Sequence, residues 1–128
     1  CAGLLKPGGI LAIQVITIPD EKYDDYRKSH DWIREHIFPG GMLPSMAVIK
    51  ASAEKGAGLA VTDVEDIADS YALTLREWRK RLYANKAGLR RLGFDEVFFR
   101  KWDYYLSYSE AALGQHAISD LQIVFKKA

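Results

Sequence analysis

The sequence predicts an α/β fold with few strands, and three observations carry that prediction. Ile10 to Ile18 is almost wholly apolar or β-branched behind the turn signal Pro7-Gly8-Gly9. Such a run reads as a strand covered on both faces, the kind found in parallel α/β sheets. Several later segments carry apolar residues at helical spacing. The chain then closes on Ile118 to Phe125, where Leu121, Ile123 and Phe125 alternate with Gln122 and Val124 as in a strand.

Between these strands each element has its own signals. Pro19 ends the first strand, and Asp20 is placed to cap a helix from about Glu21 to His36. Its stripe is Tyr23, Tyr26, His30, Ile33 and Ile37, so His30 reads as a packed histidine. Phe38 to Pro44 is a loop shaped by Pro39, Gly40, Gly41 and Pro44. Ser45 reads as the N-cap of a short helix to Lys55, stopped by Gly56. Leu59 to Val64 is a second strand. A helix follows from about Tyr71 to Ala87 with Tyr71, Leu75, Trp78 and Leu82 on one side. Asp95 caps a last helix from about Glu96 to Leu113, with Phe98, Trp102, Tyr105 and Leu106 on one side and Gly114 at its end.

Composition narrows the function. The 128 residues fit one domain, and a net charge of +1 gives no sign of a nucleic-acid partner. One cysteine allows no internal disulfide and suits a reducing compartment such as the cytoplasm. No apolar run approaches the roughly 20 residues of a membrane-spanning helix. His36 and His116 read as surface positions, and no histidine or carboxylate pair has metal spacing. The chain begins at Cys1 without a leader pattern. With Cys1 to Leu5 reading like the tail of a helix, it is expected to be part of a longer protein. From Arg76 to Lys101 nine Lys/Arg stand against three acids. That excess reads as solvated helix faces or as a patch for anionic lipid headgroups.

A series of segments in order resembles one family. Leu4-Leu5-Lys6-Pro7-Gly8-Gly9 resembles the turn before the fifth strand of Rossmann-like methyltransferases. Gln14-Val15-Ile16-Thr17-Ile18, Ile37-Phe38-Pro39-Gly40-Gly41-Met42-Leu43-Pro44-Ser45 and Tyr71-Ala72-Leu73-Thr74-Leu75-Arg76-Glu77-Trp78 resemble cyclopropane-fatty-acyl-phospholipid synthases. So do Gly93-Phe94-Asp95-Glu96, Trp102-Asp103-Tyr104-Tyr105-Leu106 and the ending Asp120-Leu121-Gln122-Ile123-Val124-Phe125. The resemblance implies the C-terminal part of a Rossmann-like class I methyltransferase fold, with about three strands in a mixed sheet and several helices.

It also implies a reaction and a site. An acyl-chain double bond would attack the methyl of S-adenosylmethionine, and a bound bicarbonate would take the proton as a cyclopropane closes. Water must be kept from the cation, and aromatic walls favour positive charge. By motif the bicarbonate positions fall on Gln14 (a histidine in the best-known members), Ile16 and Tyr71. A glutamine amide can donate to an anion but cannot carry a proton. The alternative for Gln14 is a polar residue satisfying backbone at a strand end, and for Tyr71 a place in the core. Phe38, Pro39, Gly40, Gly41 and Leu43 read as a rigid connector, or as a lid beside the acyl pocket.

The glycine-rich cofactor turn of class I methyltransferases has no match. Gly8-Gly9, Gly40-Gly41 and Gly56-Ala57-Gly58 do not fit it. The chain alone is therefore expected neither to bind S-adenosylmethionine well nor to turn over, which calorimetry can test. Phospholipid acyl chains and transient membrane contact are the expected partners, with self-association through a bare edge of the first strand. The competing readings are methyl transfer to another alkene or a small amine, and a non-catalytic lipid-binding or assembly module.

Overall fold

Pro7-Gly8-Gly9 turns the chain into its first strand. Gly8 takes φ +74°, and a Cβ on Gly9 would meet the Lys6 carbonyl oxygen at 2.8 Å. Both glycines are therefore required by backbone geometry. In this computed structural model, which describes residues 2–128, three strands follow. They are β1 (Ile10–Thr17), β2 (Leu59–Asp66) and β3 (Ser119–Lys127). Cys1 lies outside the described residues, so the helix tail expected over Cys1 to Leu5 is seen only as a single 3-10 turn, Ala2–Leu4.

The sheet order is β1-β3-β2, and both pairings are antiparallel. The mixed sheet expected from the sequence is therefore antiparallel among the described residues. The hydrophobic content of a strand announces the strand but not the direction of its neighbour. A bulge between Val61 and Asp63 adjusts β2 to β3, and the Thr62 hydroxyl donates to the Val124 carbonyl at 3.2 Å.

One face of the sheet carries Leu121, Ile123 and Phe125 beside Leu11, Ile13 and Val15, and packs on Met46, Ile49 and Ala53. These belong to α3 (Met46–Ala57), which follows α1 (Tyr23–Lys28) and α2 (Trp32–His36). Each of the largest buried side chains there contributes about 1.5–3 kcal/mol. The other face is open along Ile10, Ala12 and Gln14. β1 is thus covered on one face, not on both as its sequence suggested.

Three local readings are corrected. Glu21 to His36 is not one helix: the chain breaks at Ser29 and His30, and His30 is exposed rather than packed. The Ser29 hydroxyl donates to the Tyr26 carbonyl at 2.8 Å, and the Asp31 carboxylate accepts from the Ile33 N–H at 3.0 Å, capping α2. Asp20 caps no helix of its own segment but accepts from the Ala47 N–H of α3 at 2.9 Å, a bond that lowers its pKa. Gly56 lies within α3, which ends instead at Gly58 with φ +60°.

The remaining helices are α4 (Ala68–Ala84), α5 (Lys86–Arg91) and α6 (Glu96–Gly114). Asp95 caps α6 by accepting from the Phe98 N–H at 2.8 Å, as its position predicts. α4 and α6 run antiparallel, joined by the pairs Arg76–Glu110 and Arg79–Asp103. Ala72, Leu75, Tyr105, Leu106 and Leu113 fill the space between them, with Ile33, Ile37 and Ile118 closing the cluster.

Among the described residues β1 is hydrogen-bonded on one side only, to β3. A free apolar edge of this kind invites another strand. Copies of the chain are expected to pair there. Light scattering that returned a monomer mass at high concentration would rule this out.

Candidate active site

The pairing of β1 with β3 brings two of the three expected site positions, Gln14 and Ile16, to one buried carboxylate. Gln14 on β1 points its amide across to β3, where Nε2 donates to the Asp120 carboxylate at 2.7 Å. Ile16 stands directly opposite Asp120 in the register of β1 and β3. Asp120 is only 1% exposed, and its backbone carbonyl accepts from the Ile67 N–H at 2.9 Å, which seats the start of α4 against it. Tyr71, one turn into α4 rather than at its start, lies near enough to feel the Asp120 charge.

The electrostatics follow from burial. Burial raises the Asp120 pKa; the Gln14 hydrogen bond opposes this, and the nearby Asp66 carboxylate adds to it. No cation pairs with Asp120 among the described residues. Burial also raises the Tyr71 phenol, with Asp120 reinforcing it. Tyr105 is raised by burial and then by Tyr71, with a hydrogen bond to Ser109 acting against the rise. At the start of α4, Asp66 accepts from the Ala68 N–H, and the Tyr71 N–H donates to the Ile67 carbonyl, each at 2.9 Å.

A carboxyl whose pKa is higher in the fold than in the open chain binds its proton more tightly when folded. Its contribution to stability is fully present below the unfolded value, about 3.9, and is lost as pH rises through the folded value. Asp120→Asn is therefore expected to flatten a decline in stability above that pH. Denaturant melts across the acid range check this, and an unchanged pH profile would contradict it.

Beside this cluster lies a cleft of about 430 Å³. Its walls are mainly apolar: Ile16, Ile18, Ile33, Phe38, Leu43, Tyr105, Ala112 and Ile118 line it, with Tyr26, Asp31, Arg34, Tyr108 and Ser109 supplying polar groups. The Ile18 N–H donates to the Pro44 carbonyl at 3.0 Å, tying the end of β1 to the Phe38–Pro44 loop. The Phe38 ring meets Tyr105 edge-on, centroids 5.5 Å apart. Tyr26 holds the loop from below: its hydroxyl accepts from the Leu43 N–H and reaches Asp31, both at 3.4 Å. Burial raises the Tyr26 phenol, with the Leu43 bond acting against that rise.

Of the residues singled out from sequence, Ile16, Phe38, Gly41 and Leu43 thus line the cleft. Gln14 bonds to Asp120 instead and Tyr71 feels that carboxylate's charge, while Pro39 and Gly40 shape the turn beyond the cleft wall. Gly40 takes φ +79° there, and the Gly41 N–H donates to the Phe38 carbonyl at 2.8 Å. Sequence reasoning missed Asp120, Tyr26, Tyr105 and Tyr108 as site residues. The one signal for Asp120 was an acid directly before the alternating apolar residues Leu121, Ile123 and Phe125.

The basic segment is largely neutralised. Arg76, Arg79, Lys80, Lys86 and Arg90 pair with Glu110, Asp103, Glu77 and Glu96, the last shared by two. Arg81, Arg91, Arg100 and Lys101 stand outside ion pairs among the described residues. No helix is long and apolar enough to cross a membrane, and the described residues hold no cluster of three metal-binding side chains.

The three-stranded sheet with its helices matches part of the fold of S-adenosylmethionine-dependent methyltransferases. The cyclopropane synthase MmaA2 from Mycobacterium tuberculosis superposes with a TM-score of 0.83 at 23% identity, over 98% of this chain and 47% of that one. The mycolic acid cyclopropane synthase CmaA1 complexed with SAH and CTAB superposes with a TM-score of 0.81 at 28% identity, over 98% and 46%. The family model described as mycolic acid cyclopropane synthetase matches residues 1–123, and the chain belongs to that family.

Two curated relatives show the range. Tuberculostearic acid methyltransferase UfaA1 of Mycobacterium tuberculosis is 46% identical over 84% of this chain and 25% of its own length. The cyclopropane-fatty-acyl-phospholipid synthase of Escherichia coli is 32% identical over 96% of this chain and 30% of its own. The chain thus spans less than a third of either relative.

The family implies S-adenosylmethionine, and the residues present do not form its cradle. Such cofactors sit on glycine turns that leave the carboxyl end of a strand. Here β1 runs into Ile18-Pro19-Asp20 and β2 into Ile67-Ala68, and Gly8-Gly9 lies at the entry of a strand, not its exit.

Proposed function

We propose that the chain forms the acyl-chain side of a lipid methyltransferase that uses S-adenosylmethionine and modifies a double bond in a phospholipid acyl chain. The observation that carries this reading is the mainly apolar cleft beside Tyr71, Gln14 and Asp120, in a member of a family whose named relatives modify fatty acyl chains. An alkyl chain needs burial and no hydrogen bonds, and that cleft offers apolar wall with its polar groups grouped around Tyr26, Asp31 and Arg34. The identity to a tuberculostearic acid methyltransferase favours keeping two products in view, a cyclopropane and a methyl branch. The complete enzyme, given labelled S-adenosylmethionine and vesicles of monounsaturated phospholipid, is expected to move label into the acyl chain. Label that stayed out of lipid while entering a small amine would replace this reading.

Contact with the membrane belongs to the same reading. Arg81, Arg91, Arg100 and Lys101, outside the ion pairs, would meet anionic headgroups at roughly 1 kcal/mol each. Sedimentation with vesicles is expected to rise with anionic lipid content. Binding indifferent to that content would remove headgroup docking from the account.

A further inference from the structure

Where the acyl cleft carries its polar groups, a second hollow of about 290 Å³ adjoins it, and the two share Tyr26, Asp31, Ile33 and Tyr108 as walls. The second hollow adds Trp32 and Tyr104 to its lining. Trp32 meets Tyr104 edge-on with centroids 4.5 Å apart, and Tyr104 lies stacked on Tyr108 at 5.8 Å. Tyr104 and Tyr108 are half exposed, at 48% and 51%. The Asp31 carboxylate accepts from the Ile33 N–H and reaches the Tyr26 hydroxyl, but it stands in no ion pair among the described residues. Its charge is felt by the Tyr108 phenol, whose pKa is raised first by burial and next by Asp31. A third hollow of about 390 Å³ shares Ser29, His30 and Asp31 with the second, and its charged walls are Lys28, Arg34, Asp31 and Glu35. The Arg34 guanidinium lies 5.7 Å from the centre of the Tyr26 ring.

Aromatic rings beside a carboxylate are the surroundings that an alkylated ammonium group favours: the ring quadrupoles attract the cation and the carboxylate balances its charge. The third hollow sets two cations against two carboxylates, a balance that suits a zwitterion. A headgroup charged only at its phosphate would gain Lys28 and Arg34 but lie against Asp31 and Glu35. We infer that these adjoining hollows form a headgroup site for a zwitterionic phospholipid. Trp32, Tyr104, Tyr108 and Asp31 hold its ammonium group, Arg34 meets its phosphate, and its acyl chain lies in the cleft. The cleft that shares Asp31 is also lined by Ile16, which stands opposite Asp120 across the ladder, so one lipid spans from headgroup site to candidate active site. Neither hollow is lined by Arg81, Arg91, Arg100 or Lys101, so attraction to an anionic bilayer and choice of a zwitterionic substrate belong to different surfaces. The lipid as substrate rests on the methyltransferase reading, whereas ammonium recognition is a binding property measured without it.

The test is calorimetry of the complete enzyme, without cofactor, against dodecylphosphocholine and dodecylphosphoglycerol below their micelle concentrations. The two probes share chain and phosphate and differ in the ammonium group. The phosphocholine probe is expected to bind about tenfold more tightly. Trp32→Leu, and separately Tyr104→Leu, are expected to bring that ratio below about twofold, whereas Trp32→Phe keeps a ring face and most of the preference. Two positions keep the test standing if one leucine variant fails to fold. Equal or weaker binding of the phosphocholine probe, or no binding of either probe, would overturn the site. So would a preference that survives in the folded leucine variants. Lipid labelling decides the methyltransferase reading separately, since none of these measurements depends on turnover.

Discussion

Phe125→Ala is expected to destabilise the chain by about 3–5 kcal/mol. Phe125 is 2% exposed on the central strand, paired with Leu11 on one side and Val61 on the other, and its ring belongs to the cluster beneath α3. Truncation opens a cavity where three elements meet, and the two antiparallel ladders leave the backbone little room to close it. For a domain of this size a loss of that magnitude is a large part of total stability. Denaturant unfolding measures it. A change below about 1 kcal/mol would mean that the sheet is not held by this face.

Ala112→Trp is expected to lower acyl methylation by the complete enzyme by about 100-fold, while leaving the melting temperature near that of the unmodified protein. Ala112 lies on the cleft wall contributed by α6, half-buried, between Tyr108 and Ile118. An indole there fills space that an alkyl chain would need. Displacing a reacting atom by about 1 Å is enough for a loss of that order. Unchanged turnover in a folded variant would show that the acyl chain lies elsewhere.

Much of this fold was legible because the signals are local. Pro7-Gly8-Gly9 before Ile10, the alternation of Leu121, Ile123 and Phe125, and the caps Ser45 and Asp95 each act within a few residues. The break at Ser29 was hidden because the stripe from Tyr23 to Ile37 runs through it without interruption. Only the bonds of Ser29 to Tyr26 and Asp31 to Ile33 divide the helix there. Strand direction was hidden for a different reason: an apolar strand satisfies a parallel or an antiparallel neighbour equally well.

The site divided in the same way. Ile16, Phe38, Gly41 and Leu43 could be named because the loop and strand that carry them have recognisable sequence. Asp120 could not, because its meaning depends on an amide 106 positions away that only the register of β1 and β3 brings within 2.7 Å. Five of the nine basic residues between Arg76 and Lys101 are paired, two of them with acids on α6 outside that segment. A count along the sequence therefore overstated the free charge.

Methyl transfer to unsaturated acyl chains is the role proposed for this chain. Lipid mass spectrometry of cells expressing the complete enzyme, unmodified against Tyr71→Phe, tests it most directly. A gain of one CH2 on unsaturated chains, reduced in the variant, is the expected result. Lipid masses unchanged with the enzyme well expressed would contradict the claim and direct the search to a different methyl acceptor.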